Sequence, residues 1–189
     1  MAALTLNLDS VVQLTDEQFY RLCQTNRNLK FERTATGELV VIAPTGGESS
    51  IRNADLTTDL NFWNRKTKLG VVFDSSGGFR LPNGADRSPD VAWVAIQRWQ
   101  SLTPEQREKF PPIAPDFAIE IHSPSDELKP LQEKMQEYIK NGVRLGWLLD
   151  PQRNRVEIYR PNQEVETVEC PATLSGEDVL PGFTLDVRF

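Results

Sequence analysis

Residues Asp116 to Asp126 read DFAIEIHSPSD, and the fold turns on this stretch. In an extended segment, side chains alternate between faces. Phe117, Ile119 and Ile121 therefore share one side, and Ala118, Glu120 and His122 share the other. The apolar residues predict a strand, which Ser123, Pro124 and Ser125 bring to an end. Glu120 then stands inside a buried strand, where a carboxylate is unfavourable unless it is paired, hydrogen-bonded or bound to a cation.

Working outward, the next element is a helix over about Pro130 to Lys140, closed by Asn141-Gly142, with Leu131, Met135, Tyr138 and Ile139 on its buried side. The apolar strand LGWLLD follows, then a turn at PQRN and the strands RVEIYR and EVETVEC. Upstream, VVFDSS, then a Gly-rich turn with FRLPNGADR, then SPDVAWVA make a pattern of strands broken by loops. Thr103 to Phe110 reads as a short helix, with Thr103 as its cap, Pro104 first in the helix and Gln106 completing a capping box. Thr15 and Gln18 open an earlier helix in the same way. Strands over Leu29 to Arg33 and Glu38 to Ala43 flank Thr36-Gly37, and a long helix over about Ser50 to Lys68 carries Leu56, Leu60 and Trp63 at helical spacing. These elements predict an α/β fold: a mixed central sheet flanked by helices, with additional hairpins at both ends. The chain of 189 residues fits one domain, 1–189.

Composition narrows the function. No stretch reaches the roughly 18 apolar residues of a membrane span, and MAALTLNLDS lacks the pattern of a secretory signal, so the expected location is the cytoplasm. Cys23 and Cys170 lie far apart and outside metal-ligand spacing, and a single histidine, His122, excludes multi-histidine metal centres. A net charge of −6 argues against indiscriminate nucleic-acid binding. Local basic groups remain, with Arg52, Arg65, Lys66 and Lys68 along one helix and Arg80 and Arg87 in a later loop.

Two acids sit on apolar strands, Asp90 after Pro89 and Glu120. On neighbouring strands they would converge as oxygen ligands for Mg²⁺ or Mn²⁺. Structural roles are equally easy to assign: Asp90 capping a turn, Glu120 pairing with an arginine. Lys134 and Tyr138 are four residues apart and share one side of the helix after Glu120, so the ammonium can extend toward the carboxylates. A solvated lysine beside Glu133 or Glu137 is the simpler fate.

The run of elements resembles the Uma-type restriction endonucleases, a family abundant in cyanobacteria and placed in the PD-(D/E)XK nuclease superfamily. The residues carrying the resemblance are Phe31-Glu32, Gly37-Glu38-Leu39-Val40, GFRLPNGADRSPDVAWV, FAIEIHSPSD, Lys134 with Tyr138, Gly142-Val143 and GWLLDP, spread over about Thr15 to Phe183. The resemblance implies a restriction-endonuclease-like core and metal-dependent hydrolysis of DNA, with Asp90 and Glu120 as metal ligands and Lys134 completing a catalytic triad. The parent motif sets its lysine two residues after the second acid, where His122 stands here. The family supplies the lysine from the following helix, which maps onto Lys134. Glu32, His122 and Tyr138 become accessory candidates. A histidine common near the start of the long helix is replaced by Ser49, Ser50 and Arg52. A homodimer is expected by analogy with nucleases that cut both strands. The rival expectations are a non-catalytic DNA- or protein-binding module on the same fold, and a glycoside hydrolase using Asp90 and Glu120, for which no aromatic platform is evident.

Overall fold

The alternation read in DFAIEI holds on both sides of the strand. In the computed structural model, which describes residues 4–8 and 11–189, β8 (Phe117–Ile121) lies among β4 (Gly70–Phe73), β7 (Val91–Ala95), β9 (Leu145–Asp150), β10 (Arg155–Tyr159) and β11 (Glu166–Glu169). Their order in the sheet is β11-β10-β9-β8-β7-β4. The β8–β9 pair is parallel and the other pairs are antiparallel. The parallel pair requires a crossover, which α5 (Leu128–Lys140) supplies.

Both faces of this sheet are covered, so the sheet belongs to the mixed type flanked by helices. On one face Leu56, Leu60 and Trp63 of α2 (Gly47–Thr67) meet Phe117, Ile119 and Trp147, joined by Leu174 and Leu185 of the terminal hairpin β12 (Ala172–Ser175) and β13 (Thr184–Val187). On the other face Met135 and Tyr138 of α5 cover Ala92, Ala118 and Leu148. Gly146 lets this helix sit close, since a Cβ there would meet the Met135 Cε and the thioether would have to shift. Glu120 belongs to this second face.

A second sheet contains β1 (Leu4–Leu6), β2 (Lys30–Arg33), β3 (Leu39–Ile42), β5 (Phe79–Arg80) and β6 (Asp86–Arg87), in the order β1-β3-β2-β6-β5. Thr5 and Glu32 both pair with Val40, which sets the three in one row across it. Ion pairs tie this sheet to α1 (Asp16–Thr25). Arg33 contacts Asp86 at 2.8 Å and Asp16 at 2.7 Å, and Arg80 contacts the same two acids.

The capping boxes at Thr15/Gln18 and Thr103/Gln106 form as expected, the second opening α4 (Pro104–Glu108). The helix after Glu120 begins at Leu128, two residues before Pro130, and α2 begins at Gly47 and stops at Thr67, where Lys68 adopts φ 55°. The strand β1 and the short helix α3 (Ile96–Gln100) have no counterpart in the sequence reading. Three to five residues carry no usable periodicity, and such elements exist because neighbours pair with them.

Gly70 marks the tightest approach in the main sheet. Asn64 accepts from Gly70 N–H and Trp93 Nε1, and a Cβ at position 70 would collide with the Trp93 ring and the Val94 carbonyl. Backbone cannot yield cheaply, so Gly70→Ala should destabilise the protein by about 1–3 kcal/mol in urea unfolding.

Candidate active site

A cavity of about 470 Å³ opens between the second sheet, the start of α2 and the side of α5. Asp90, Glu120, Glu32 and Lys134 all line it, together with Asn53, Arg87 and Ser88. Asp90 immediately precedes β7, and since Val91 pairs with Ile119, it lies beside the end of β8. Its Oδ2 accepts from the Ile121 N–H at 2.9 Å, and its Oδ1 accepts from Asn53 Nδ2 at 3.0 Å. Backbone and helix thus fix both oxygens.

Glu120 Oε1 accepts from the Tyr138 hydroxyl at 2.8 Å and lies 2.8 Å from Lys134 Nζ. Lys134 Nζ is also 2.8 Å from Glu32 Oε1. The same Glu32 oxygen accepts from the Ser88 N–H at 2.9 Å, and Oε2 contacts Arg87 Nη1 at 3.1 Å. Lys134 is therefore neither solvated nor paired with its helical neighbours. It bridges two carboxylates from different sheets.

The two acids differ because their surroundings differ. Burial alone would raise both carboxyls. For Glu32, Lys134, Arg87 and Lys30 outweigh that effect and hold the group at about 2. For Glu120, burial prevails over Lys134, and the negative charges of Asp90 and Glu32 add to it, pushing the carboxyl up to about 7. Lys134 loses from burial but gains more from Glu120 and Glu32, so its ammonium is held above the usual lysine range. Burial, followed by Glu120, raises the Tyr138 hydroxyl, which stays protonated and donates.

His122 does not line the cavity. Its Nδ1 lies 2.8 Å from Asp150 Oδ1 and its Nε2 lies 3.1 Å from the Asp126 carbonyl, so the ring is locked among buried groups behind the strand end. Four of the six basic groups singled out in the sequence already have partners. Arg80 serves Asp16 and Asp86, Arg87 serves Glu32 and Glu137, Arg52 lies 3.5 Å from Glu48, and Lys66 sits over the Phe62 ring. Asn53 and Ser88 escaped the sequence reading. For Asn53 a signal existed: Ser49 and Asn53 extend the stripe of Leu56, Leu60 and Trp63 at spacings of three and four, so α2 presents polar groups where its buried side reaches the cavity.

The donor set suits a hard divalent cation. Both contacts to Glu120 fall on Oε1, and Oε2 takes no hydrogen bond among the described residues. Asn53 Oδ1 is buried there without a partner. No cluster of three or more His, Cys, Asp or Glu able to hold a metal ion occurs among the described residues. Mg²⁺ is ordinarily held by one or two carboxylates, with waters filling the remaining positions, and Asp90 with Glu120 meets that requirement.

The titration of Glu120 has a measurable consequence. Above pH 4.5 the unfolded chain ionises at this residue while the folded protein keeps its proton until about pH 7, so Glu120 costs stability increasingly across that window. Glu32 acts oppositely: its contribution is full above pH 4.5 and is lost as pH falls toward 2. Glu120→Gln removes the first effect only. In chelator, the stability of this variant relative to the parent should rise by on the order of 1–3 kcal/mol between pH 4.5 and pH 7.5, read by urea unfolding. A pH-independent difference would contradict the assignment.

No curated protein matches the chain. Among solved structures, the crystal structure of a protein from Anabaena variabilis, described as "a putative nuclease belonging to DUF820", superposes with a TM-score of 0.74 at 23% identity, covering 92% of this chain and 94% of the other. That likeness concerns the fold, a mixed sheet flanked by helices. Residues 16–188 match the Uma2 family, described as "Putative restriction endonuclease". With nearly the whole chain matched, the protein belongs to the Uma2 family.

Proposed function

We propose that the protein is a divalent-cation-dependent DNA endonuclease with its centre at Asp90, Glu120 and Lys134. The observation that carries this reading is the position of Lys134 Nζ, 2.8 Å from a Glu120 oxygen in the cavity that Asp90 also lines. A strand acid, a neighbouring strand acid and a helical ammonium are what phosphodiester hydrolysis needs: sites for a cation, and a donor for water or phosphate oxygen.

Asp90 and Glu120 would hold Mg²⁺ or Mn²⁺, with the Ile121 carbonyl as a further ligand. Bound there, the ion supplies positive charge that polarises the scissile phosphate and acidifies water. Asp90 is oriented for this by the Ile121 N–H and the Asn53 amide. Lys134 remains protonated, so its part is to orient the attacking water and balance phosphate charge, and it does not serve as the general base. Tyr138 holds Glu120 Oε1 and thereby fixes which oxygen is free for the cation. Glu32, with Ser88 and Arg87 behind it, positions Lys134 from the opposite side. His122 has no part in these steps.

Seven carboxylates and three cationic side chains line the cavity. An acidic wall repels phosphate, so DNA can approach the centre only when divalent charge offsets it, which supports the metal requirement. A homodimer, with two such centres, would let both strands of a duplex be cut in one encounter.

Incubated with supercoiled plasmid, the protein should nick or cut DNA in Mg²⁺ or Mn²⁺ and fail in excess chelator while its circular dichroism stays unchanged. Cleavage that survives chelation would rule out the cation-dependent mechanism. Lys134→Met should lower the cleavage rate by roughly 100-fold or more, the scale on which single charge-stabilising donors act. It should also reduce stability, because Glu32 and Glu120 lose their shared partner. A variant that cuts at the parental rate would remove Lys134 from the centre.

A further inference from the structure

Asn53 is divided between two surroundings. Its Nδ2 donates to Asp90 Oδ1 at 3.0 Å, while Oδ1 is shielded from solvent and takes no hydrogen bond. Turning the amide over does not resolve this, since it would press Oδ1 against the Asp90 carboxylate and leave the NH₂ group unsatisfied. A buried carbonyl oxygen without a donor costs about 1–3 kcal/mol. Asparagine is moreover a weak helix former at a position seven residues into α2, where alanine would be better. Folding alone gives no reason to keep an amide here. The residue lines the same cavity as Asp90 and Glu120.

We propose that Asn53 is a further member of the cation-holding set, its Oδ1 supplying a neutral oxygen to the ion while its Nδ2 fixes Asp90. The assignment rests on the reading that Asp90 and Glu120 hold the cation. Amide oxygens are ordinary ligands of hard cations. A neutral one is favoured here, because Glu32, Asp90 and Glu120 already crowd three carboxyls into this end of the cavity, and a fourth would oppose folding before any ion arrived. One side chain thus performs two tasks: it orients a charged ligand and adds an uncharged one.

The test is Mn²⁺ binding to the full chain, followed by the electron paramagnetic resonance signal of free Mn²⁺, with thermal unfolding in chelator verifying that each variant is folded. Asp90→Asn and Glu120→Gln report on the underlying reading, and both should abolish or greatly weaken binding. Asn53→Ala should weaken Mn²⁺ binding by roughly tenfold or more. Asn53→Ser, whose hydroxyl is too short to replace the amide, should do the same and stands in if the alanine variant fails to fold. Asn53→Asp separates the two tasks, since it keeps an oxygen but loses the donor. If the oxygen is a ligand, this variant binds Mn²⁺ at least as tightly as the parent while losing stability in chelator. If Asn53 only orients Asp90, it binds as weakly as Asn53→Ala, which would overturn the proposal. Parental affinity in both Asn53→Ala and Asn53→Ser, with binding lost in the Asp90 and Glu120 variants, would refute the role of Asn53 and leave the centre standing. A parent chain that takes up no Mn²⁺ would refute both.

Discussion

One ammonium between two buried carboxylates joins the two sheets at the cavity. Lys134 projects from the helix that connects the parallel strands, Glu120 belongs to the central sheet, and Glu32 belongs to the smaller one. Remove the lysine and Glu32 and Glu120 lose the one group they share at the wall of the cavity. Remove either acid and the ammonium leans on the other. Lys134 thus links the two sheets at the cavity by one ion pair to each, through groups that the proposed chemistry uses.

The same economy governs the other cations. Arg33 and Arg80 share Asp86 and Asp16, Arg87 joins Glu32 to Glu137, and Arg98 reaches Asp116. Guanidinium groups suit such duty because their forked geometry serves two acids at once. Few are left to greet a polyanion at the cavity, so the proposed cleavage of DNA would rely on bound cations for phosphate affinity. Binding to DNA should then depend on the divalent ion more steeply than on any single arginine.

The sequence was most legible where one element carried a strong pattern. Glu120 in an apolar strand, the stripe of Met135 and Tyr138, and the capping boxes at Thr15 and Thr103 all reduce to local periodicity or hydrogen bonding, and the structure contains them. The partner of Glu120 was harder to read, because an arginine at the sheet edge was as easy to imagine as Lys134, and only the crossover of α5 decides between them. His122 was ambiguous for a related reason: it occupies the position of a motif lysine, yet it follows the last residue of the strand and turns to Asp150. The pairing of the two-residue strand β6 with β2 and the contact of Asn53 with Asp90 depend on chain segments brought together from afar. Such contacts leave no periodic trace.

Distance along the chain has a consequence for how the protein matures. Lys134 and Glu32 are 102 residues apart in sequence, and Asn53 and Asp90 are 37 apart. Closing loops of that size is entropically unfavourable until the surrounding surfaces can reward it. A chain that ends before α5 holds Glu32, Asp90 and Glu120 but lacks Lys134, and with it the constellation around the cavity. For a protein whose proposed activity would harm the cell's own DNA, competence is thereby coupled to completion of the fold: an unfinished molecule holds the separate acids and the lysine but not the centre they make together.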